Sequence, residues 1–168
     1  MRQLDTCAVL GASPHGAAVL AVQELAPGTP VLPLTGTLTH LPDTHTIQIG
    51  AHTHLLPDGQ LWRYLNHSCA PNCRIDFSTW TVVTTRAVQC HEELTFNYLT
   101  TEWEMVAPFV CQCGALHCYG CVAGFKHLTP AQQVLLAPQC SPPLRRLWRA
   151  HVTPSPRQIT RQSQGHSQ

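Results

Sequence analysis

The sequence predicts a small, mainly β domain that ends in a few short helices. Runs of β-forming residues recur with turn-forming residues about every ten positions, which is typical of small β architectures. Helix start signals are confined to the last quarter of the chain, at positions 129 and 141. The 168 residues are 43% apolar, which is enough for the core of one compact domain.

The first predicted strands are short and apolar. Residues 17–22 (AAVLAV) and 31–34 (VLPL) read as buried strands on either side of a turn at Pro27-Gly28. Residues 44–49 alternate polar and apolar side chains, which predicts a half-buried strand. Residues 56–60 (LPDGQ) have the composition of a turn.

The next strands form a predicted hairpin and an isolated run. Residues 74–77 and 80–85 are rich in β-formers and are separated by two small polar residues, Ser78 and Thr79. Residues 94–98 (LTFNY) read as a further strand.

Two helices are predicted from their start signals. Thr129 followed by Pro130, and Ser141 followed by Pro142, each pair an N-capping residue with proline at the first helical position. In the second helix Leu144, Leu147 and Trp148 fall on one face, which we expect to pack on the core. From about Val152 onward the composition predicts disorder.

Composition and charge restrict the classes of partner. Only 11% of residues are charged and the net charge is +1, so we expect no direct binding of nucleic acid. No apolar run reaches the ~18 residues of a membrane span, and Asp5, Pro14 and His15 interrupt what would otherwise read as a secretion signal. We therefore expect reduced cysteines in an intracellular, reducing compartment. The absence of a basic cluster favours the cytoplasm over the nucleus, and a monomer is the default.

A cluster of cysteines near the C-terminal end predicts a zinc site. Three thiols lie within eight residues, at Cys111, Cys113 and Cys118, with Gly114 allowing the backbone to turn. Thiolates at this density suit tetrahedral zinc, whereas the plain alternative is a set of buried free cysteines. The candidates for a fourth ligand are Cys121, His117, Cys69 and Cys73. Scattered histidines at 40, 45, 52 and 54 read as a solvated loop.

A second polar cluster lies at residues 62–73 (WRYLNHSCAPNC). The buried donors and acceptors of an adjacent Asn66-His67 pair require partners, either in the backbone or in a polar ligand. The residues alone leave both a hydrogen-bonded turn and a binding site open.

Three segments together resemble a known family. Residues 63–72 resemble R-(F/Y)-x-N-H-S-C-x-P-N, the hallmark of SET-domain methyltransferases. Residues 93–98 resemble the second hallmark, E-L-T-(F/Y)-D-Y, and residues 111–118 resemble the post-SET segment, C-x-C-x4-C. Residues 16–28 are similar to the glycine-containing opening of the domain. The resemblance covers roughly residues 8–127 and leaves residues 37–56 poorly matched.

The resemblance implies a fold and a domain organisation. The fold would be the SET-domain β-clip, with short sheets and a knot-like C-terminal crossing of the two hallmark segments. A small zinc-binding post-SET segment and short C-terminal helices would follow. The implied divisions are a SET domain at 1–99, a post-SET segment at 100–127, a helical extension at 128–150 and a disordered tail at 151–168.

The resemblance also assigns roles to residues. The binding residues for S-adenosylmethionine would be Gly16, Ala17, Ala18, Arg63, Asn66, His67 and Tyr98. Tyr98 would be the catalytic residue, and Phe96 and Tyr98 would line the substrate channel. The structural zinc would be held by Cys69, Cys111, Cys113 and Cys118.

The implied activity is methyl transfer from S-adenosylmethionine to the side-chain amine of lysine in a protein substrate. A tyrosine at position 96 would crowd added methyl groups with its hydroxyl, whereas Phe96 leaves room for them. The resemblance therefore predicts di- or trimethylation. Three positions depart from the family pattern: Ala18 replaces glycine, His91 replaces glycine and Asn97 replaces aspartate. The alternatives are a catalytically weak or inactive SET-like binding module, and an unrelated zinc-stabilised scaffold.

Overall fold

The computed structural model describes residues 7–14 and 16–153. Its strands, in chain order, are β1 (Ala8–Ser13), β2 (Gly16–Ala21), β3 (Pro30–Pro33), β4 (Thr37–Thr39), β5 (Ile47–Gln48), β6 (His54–Leu56), β7 (Asn66–His67), β8 (Cys73–Asp76), β9 (Thr81–Thr84), β10 (Thr95–Phe96), β11 (Phe109–Val110) and β12 (Cys121–Val122). The helices are α1 (Pro130–Leu136) and α2 (Pro142–Val152), and 3-10 turns span Leu61–Tyr64, Tyr98–Thr100, Phe125–His127 and Ala137–Gln139.

The strands form several small sheets, which confirms the prediction of a mainly β fold. The hydrogen-bonded orders are β1-β2, β7-β10, β11-β12, β3-β9-β8 and β4-β6-β5. All pairs are antiparallel except β7 with β10, which run parallel. No described strand is longer than six residues, so the core is built from short segments that are distant in sequence.

The predicted hairpin is present as β8 and β9. Cys73 pairs with Thr84 and Asp76 with Thr81, so the register extends over the whole of both strands. The turn between them covers residues 77–80, and Trp80 takes a positive φ of 53° there. Ser78 is held by the Asp76 carboxylate, which accepts hydrogen bonds from its amide and hydroxyl groups.

The prediction of a strand over 44–49 was wrong for its first half. Asp43 Oδ1 accepts hydrogen bonds from the amides of His45 and Thr46, at 2.6 and 3.1 Å. This side chain satisfies local backbone groups and turns the chain, so the strand begins only at Ile47. The run at 94–98 is shortened for a similar reason, because Asn97 Oδ1 accepts from the Leu99 amide and starts a 3-10 turn at Tyr98.

His40, His45 and His52 are exposed and lie outside the strands, as predicted. Strands β4, β5 and β6 correct the prediction of a solvated loop only for His54. These three strands form a sheet, and His54 on β6 is only 8% exposed. Strand β1 was also not predicted; it pairs with β2 in a six-residue ladder. Both misses involve pairing between segments whose own sequence periodicity is weak.

The C-terminal helices begin where the sequence predicts. Thr129 and Ser141 accept hydrogen bonds from the amides of Gln132 and Leu144 through their side-chain oxygens. Leu144 is buried and Trp148 packs beside it. Helix α2 continues to Val152, so residues 151 and 152 are helical; the remainder of the predicted disordered tail, 154–168, lies outside the described residues.

Two apolar clusters organise the molecule. The larger one is formed by strands β1 to β3, β8 and β9 with the Trp62 turn, and includes Val19, Leu94 and Phe96. The smaller one joins Leu99 and Phe125 to Leu144 of α2. Tyr98 packs against both clusters, so the segment that carries it is held from two sides. Within the described ranges, no helix is long and apolar enough to cross a membrane.

Candidate functional site

The parallel pair of β7 and β10 brings the two polar hallmark segments together. Thr95 lies opposite Asn66, and Phe96 lies opposite His67. The Ser68 amide extends the pairing with a hydrogen bond to the Phe96 carbonyl oxygen at 3.2 Å. These segments are about thirty positions apart in sequence, and their side-by-side placement is what the predicted crossing requires.

The side chain of Asn72 links the same two segments through hydrogen bonds. It is 2% exposed, and its Oδ1 accepts a 2.8 Å hydrogen bond from the Thr95 amide. Its Nδ2 donates to the Glu93 carbonyl oxygen at 2.7 Å and to Glu92 Oε1 at 3.1 Å. A single buried side-chain amide therefore satisfies backbone groups at the first residue of β10 and two residues before it.

Asn66 connects the site to the start of β2. Its Nδ2 donates to the Ala17 carbonyl oxygen at 3.1 Å and to Glu93 Oε1 at 2.7 Å. The predicted donor-binding turn at Gly16 and Ala17 thus lies beside Asn66, and Gly16 takes a φ of 107° that favours glycine. Ala18 is fully buried and pairs with Gly11, so its Cβ packs inside the protein.

The ring of His67 bridges two parts of the site. Its Nδ1 accepts from the Tyr98 amide at 3.2 Å, so the neutral ring carries its proton on Nε2, which lies 3.2 Å from Cys69 Sγ. Burial lowers the pKa of His67 to about 4, so the ring is neutral at physiological pH. His67 therefore joins the backbone of Tyr98 to the thiol cluster.

Tyr98 lies at the centre of the arrangement. Its hydroxyl donates a 2.7 Å hydrogen bond to the Leu65 carbonyl oxygen. Burial, together with the charges of Glu93 and Glu102, raises the pKa of the phenol above its usual ~10, so it remains protonated. Its ring meets those of His67, Phe96 and Phe109 at centroid distances of 5.2, 4.9 and 6.3 Å.

Two cavities meet at Tyr98 and Phe109, which line both. The first, of about 270 Å³, is lined by Asn66, His67, Tyr98, Phe109, Val110, Cys111, Gln112 and Cys113. The second, of about 200 Å³, is lined by Asp43, Thr44, His45, Thr46, Ile47, Trp62, Arg63, Leu65, Phe96, Tyr98, Glu102, Met105, Val106, Ala107 and Phe109. We call the first the polar cavity, after Asn66 and His67, and the second the apolar cavity, after Ile47, Trp62 and Phe96. The lining of the apolar cavity also includes charged groups, among them Arg63 and Glu102.

The remaining predicted site residues distribute between these cavities. Phe96 is 5% exposed and lines the apolar cavity, next to the Tyr98 ring. Arg63 is exposed and also lines the apolar cavity, with its guanidinium 6.0 Å from the centroid of the Tyr64 ring. The structure thus places Arg63 away from Asn66, and its predicted contact with the methyl donor remains a prediction.

Four thiols come together beside the polar cavity. The sulfur atoms of Cys69, Cys111, Cys113 and Cys118 all lie within 4.8 Å of one another. Cys69 Sγ is 3.8 Å from both Cys111 Sγ and Cys118 Sγ. A tetrahedral metal with sulfur ligands at ~2.3 Å requires sulfur–sulfur distances of about 3.8 Å. The four thiols could therefore hold one tetrahedral metal ion.

The other candidate ligands lie elsewhere. Cys73 is buried in the larger apolar cluster, and Cys121 is exposed on β12. Gly114 takes a φ of 69°, which provides the turn between Cys113 and Cys118. The set of four matches the one that the family resemblance implied.

Two thiols of this cluster have pKa values shifted in opposite directions. Burial raises the pKa of Cys69, so that thiol stays protonated unless a cation is close. For Cys113 burial acts in the same direction, but hydrogen bonds from the backbone of Ala115 and Cys69 and from the neighbouring thiols outweigh it and lower its pKa to about 6. A divalent cation would stabilise all four as thiolates.

Two departures from the family pattern have structural explanations. His91 takes a φ of 67°, a left-handed conformation that explains why glycine is common there. Asn97 is 4% exposed and uses only its side-chain oxygen, as the acceptor for the Leu99 amide. An aspartate or an asparagine provides that acceptor equally well.

Sequence reasoning missed several residues of the site. The carbonyl of Leu65 belongs to it because β7 pairs with β10, which brings the Tyr98 hydroxyl to Leu65. Glu102 and Phe109 belong to it because the chain after Tyr98 returns to the same cavity. Glu93 was noted as part of a motif, but its hydrogen bond to Asn66 was not. For Glu102, the one available signal was an acidic residue close after the LTFNY motif.

Comparisons with known proteins agree with the geometry. A family model described as SET domain matches residues 38–99. Methyltransferase flvH of Aspergillus flavus is 35% identical over 119 residues, which cover 69% of this chain and 66% of that protein. A histone-lysine N-methyltransferase of Chaetomium globosum, H3 lysine-36 specific, is 37% identical over 87 residues, covering 47% of this chain and 9% of that protein.

Solved structures show a similar fold. KRYPTONITE in complex with mCHH DNA, H3(1-15) peptide and SAH is similar with a TM-score of 0.59 and 20% identity, over 71% of this chain and 30% of that one. The chain spans about two thirds of the first relative and less than a tenth of the second.

Proposed function

Because the chain belongs to the SET-domain methyltransferase family, we propose that it transfers a methyl group from S-adenosylmethionine to the side-chain amine of a lysine in a protein. The observation that carries this proposal is the pair of cavities that meet at Tyr98 and Phe109. One cavity has the hydrogen-bonding groups of Asn66 and His67 for a donor. The other has aromatic and aliphatic walls that suit the stem of a lysine, together with charged groups such as Glu102. Two reactants that enter from opposite sides would meet beside the Tyr98 hydroxyl.

The polar cavity fits the donor. Both hydrogen bonds that Asn66 makes within the described ranges use Nδ2, which leaves Oδ1 to accept from the ammonium group of a bound amino acid. The backbone at Gly16 and Ala17 lies next to this amide. S-adenosylmethionine would supply the methyl group on a sulfonium, an activated leaving group that needs no general acid from the protein.

The apolar cavity fits the acceptor. A lysine amine must be neutral to attack, although its ordinary pKa is ~10.4. The walls formed by Ile47, Trp62 and Phe96 disfavour the ammonium form by excluding water. The Tyr98 hydroxyl and the Leu65 carbonyl oxygen, 2.7 Å apart, are positioned to orient the amine toward the other cavity.

We further propose that the four thiols hold structural zinc. Cys111 and Cys113 line the polar cavity, and β11, which precedes them, contributes Phe109 to both cavities. Metal binding would fold this segment over the reacting centre, since its two-stranded sheet of two-residue strands has little packing of its own. His67 would in turn orient Cys69 through its 3.2 Å contact.

We propose that the degree of methylation reaches two or three. Phe96 is buried against Tyr98 and contributes no hydroxyl to the apolar cavity, so space remains for methyl groups on the amine. Phe96→Tyr is expected to shift the products toward monomethyl-lysine, which mass spectrometry of the methylated substrate would measure. An unchanged product distribution in Phe96→Tyr would contradict this role.

The substrate is proposed to be a protein, with histone H3 as the first to test because a relative is named for that substrate. The net charge of +1 provides no large electrostatic field to attract nucleic acid, so we propose that the acceptor is recognised as a peptide. We also propose that the protein acts as a monomer. The nine cysteines, free in the described structure, fit a reducing compartment inside the cell, and we propose the cytoplasm.

The test is methyl transfer by zinc-loaded protein, with labelled S-adenosylmethionine and two acceptors: histone H3 and a peptide pool with one central lysine per peptide. Tyr98→Phe is expected to lower kcat by at least about 100-fold while donor affinity stays close to wild type. It should also cost about 1–3 kcal/mol of stability, because the buried Leu65 carbonyl loses its partner, so activity is measured well below the melting temperature of the variant. Tyr64→Phe is the matched control, since the Tyr64 hydroxyl has no hydrogen bond among the described residues. Donor binding without transfer by wild type would favour the alternative of a SET-like binding module.

A further inference from the structure

The apolar cavity contains one acidic side chain that packing alone does not explain. Glu102 is half-buried and lines this cavity together with Tyr98 and Met105. Its backbone is fixed on both sides: its amide donates to the Tyr98 carbonyl oxygen at 2.9 Å, and its carbonyl accepts from the Phe125 amide at 2.9 Å. The carboxylate is therefore held one turn after the central tyrosine.

The side chain of Glu102 is also fixed. Its Oε1 accepts a 2.9 Å hydrogen bond from the Gln48 amide, and the Gln48 side chain accepts in return from the Trp103 amide at 2.8 Å. This reciprocal clamp holds the carboxylate between β5 and the segment after Tyr98. An amide oxygen would serve the Gln48 amide equally well, so the clamp does not require a charge.

The charged and titratable groups around Glu102 come from three segments. Asp43 and His45 line the cavity from the turn before β5, and Arg63 lines it from the 3-10 turn before β7. Tyr98 comes from Glu102's own segment and remains protonated at neutral pH. Of the acidic groups in this cavity, Asp43 has its Oδ1 engaged by the amides of its own turn.

We propose that Glu102 receives the substrate lysine as its ammonium and takes up one of its protons before methyl transfer. This inference rests on the proposed function. In the step, one N–H bond of the ammonium breaks and leaves its electron pair on nitrogen, and an O–H bond forms on the carboxylate. The ion pair becomes a neutral amine and a neutral carboxylic acid, and the acid returns its proton to solvent before the next turnover.

The electrostatics of the cavity support this step. Burial raises the pKa of Glu102 to about 7, against which the hydrogen bonds from the Gln48 amide and Thr101 act only in part. That value is closer to the ~10.4 of lysine than an ordinary carboxyl group is, so the proton transfer is less unfavourable. The apolar walls favour the neutral amine and carboxylic acid over the ammonium and carboxylate, because charged groups are poorly solvated there.

The experiment compares wild type with Glu102→Gln over pH 6 to 10, using the single-lysine peptide pool and labelled S-adenosylmethionine. Wild-type kcat/KM is expected to fall as the pH decreases through about 7, because the carboxylate becomes protonated. In Glu102→Gln, kcat/KM is expected not to show this fall, which is the acid limb of the pH profile. Its kcat/KM at pH 8 should be about 10- to 100-fold lower than that of wild type. Its deficit should shrink toward pH 10, where water itself deprotonates lysine.

Two controls separate the proposal from its alternatives. Glu104→Gln removes an exposed carboxylate, paired with Lys126 outside the cavity, and should leave the profile unchanged. His45→Gln tests whether the neighbouring imidazole sets the acid limb. An unchanged rate and profile in Glu102→Gln, or loss of the limb in His45→Gln, would overturn the role of Glu102 while leaving the methyltransferase intact. No transfer by wild type would instead overturn the proposed function and this step with it.

Discussion

Asn72→Ala is expected to lower the free energy of unfolding by about 4 kcal/mol, because one buried amide holds the two segments that form the site. The substitution leaves the Thr95 amide and the Glu93 carbonyl without their partners, 2.8 and 2.7 Å from the present side chain. Each unsatisfied buried group costs about 1–3 kcal/mol. The third bond, to Glu92, counts little because Arg86 already pairs with that carboxylate.

The magnitude is large against the ~5–15 kcal/mol by which small domains are stable. Urea unfolding of zinc-saturated protein, followed by circular dichroism, would measure it as a shift of the midpoint at unchanged slope. Gln89→Ala is the matched control: it truncates an exposed amide next to the same Glu92, and should change stability by less than about 0.5 kcal/mol.

A second variant separates the two lost bonds. Asn72→Asp keeps an acceptor for the Thr95 amide, removes the donor to the Glu93 carbonyl, and places a negative charge next to Glu92. It should also be strongly destabilised. A loss of less than about 1 kcal/mol in Asn72→Ala would refute the reasoning that this amide joins the segments.

Three further results are expected. Chelation of zinc should weaken S-adenosylmethionine binding by at least about tenfold in calorimetry, with recovery on adding Zn²⁺, because the metal segment forms one wall of the polar cavity; full affinity in the chelated protein would contradict this. His91→Gly should raise stability by about 0.5 kcal/mol in thermal melts, since it relieves a left-handed histidine, whereas His91→Val should lower it. Thr129→Ala should cost about 1 kcal/mol through loss of the α1 cap, and no change in melting temperature would show that the cap is redundant.

Much of the site was predictable from local chemistry. The thiols Cys111, Cys113 and Cys118 lie close in sequence, so their clustering requires only the turn at Gly114. The helix starts at Thr129 and Ser141 depend on side chains that bond the next turn of the backbone. Such signals depend only on nearby residues, so the folded structure shows the helix starts and the thiol cluster where the sequence places them.

The positions of the strands were less predictable. Strands of two to four residues, such as β5 and β10, are too short to show a period of two. Asp43 delayed the start of β5 and Asn97 ended β10 early, because each side chain bonds nearby amides in the folded chain. The buried His54 shows the same limit, because its sheet is assembled from three such short strands.

The sequence by itself predicted the family, the order of its motifs and the residues proposed to carry the chemistry, because these depend on residue types at fixed spacing. The tertiary structure decided which groups share a cavity. Leu65 reaches Tyr98 through the pairing of β7 with β10, and Glu102 and Phe109 join them from the chain that follows Tyr98. Burial there lowers the pKa of His67 and raises that of Glu102. Long-range pairing and exclusion of water are properties of the packed molecule, and no local pattern encodes them.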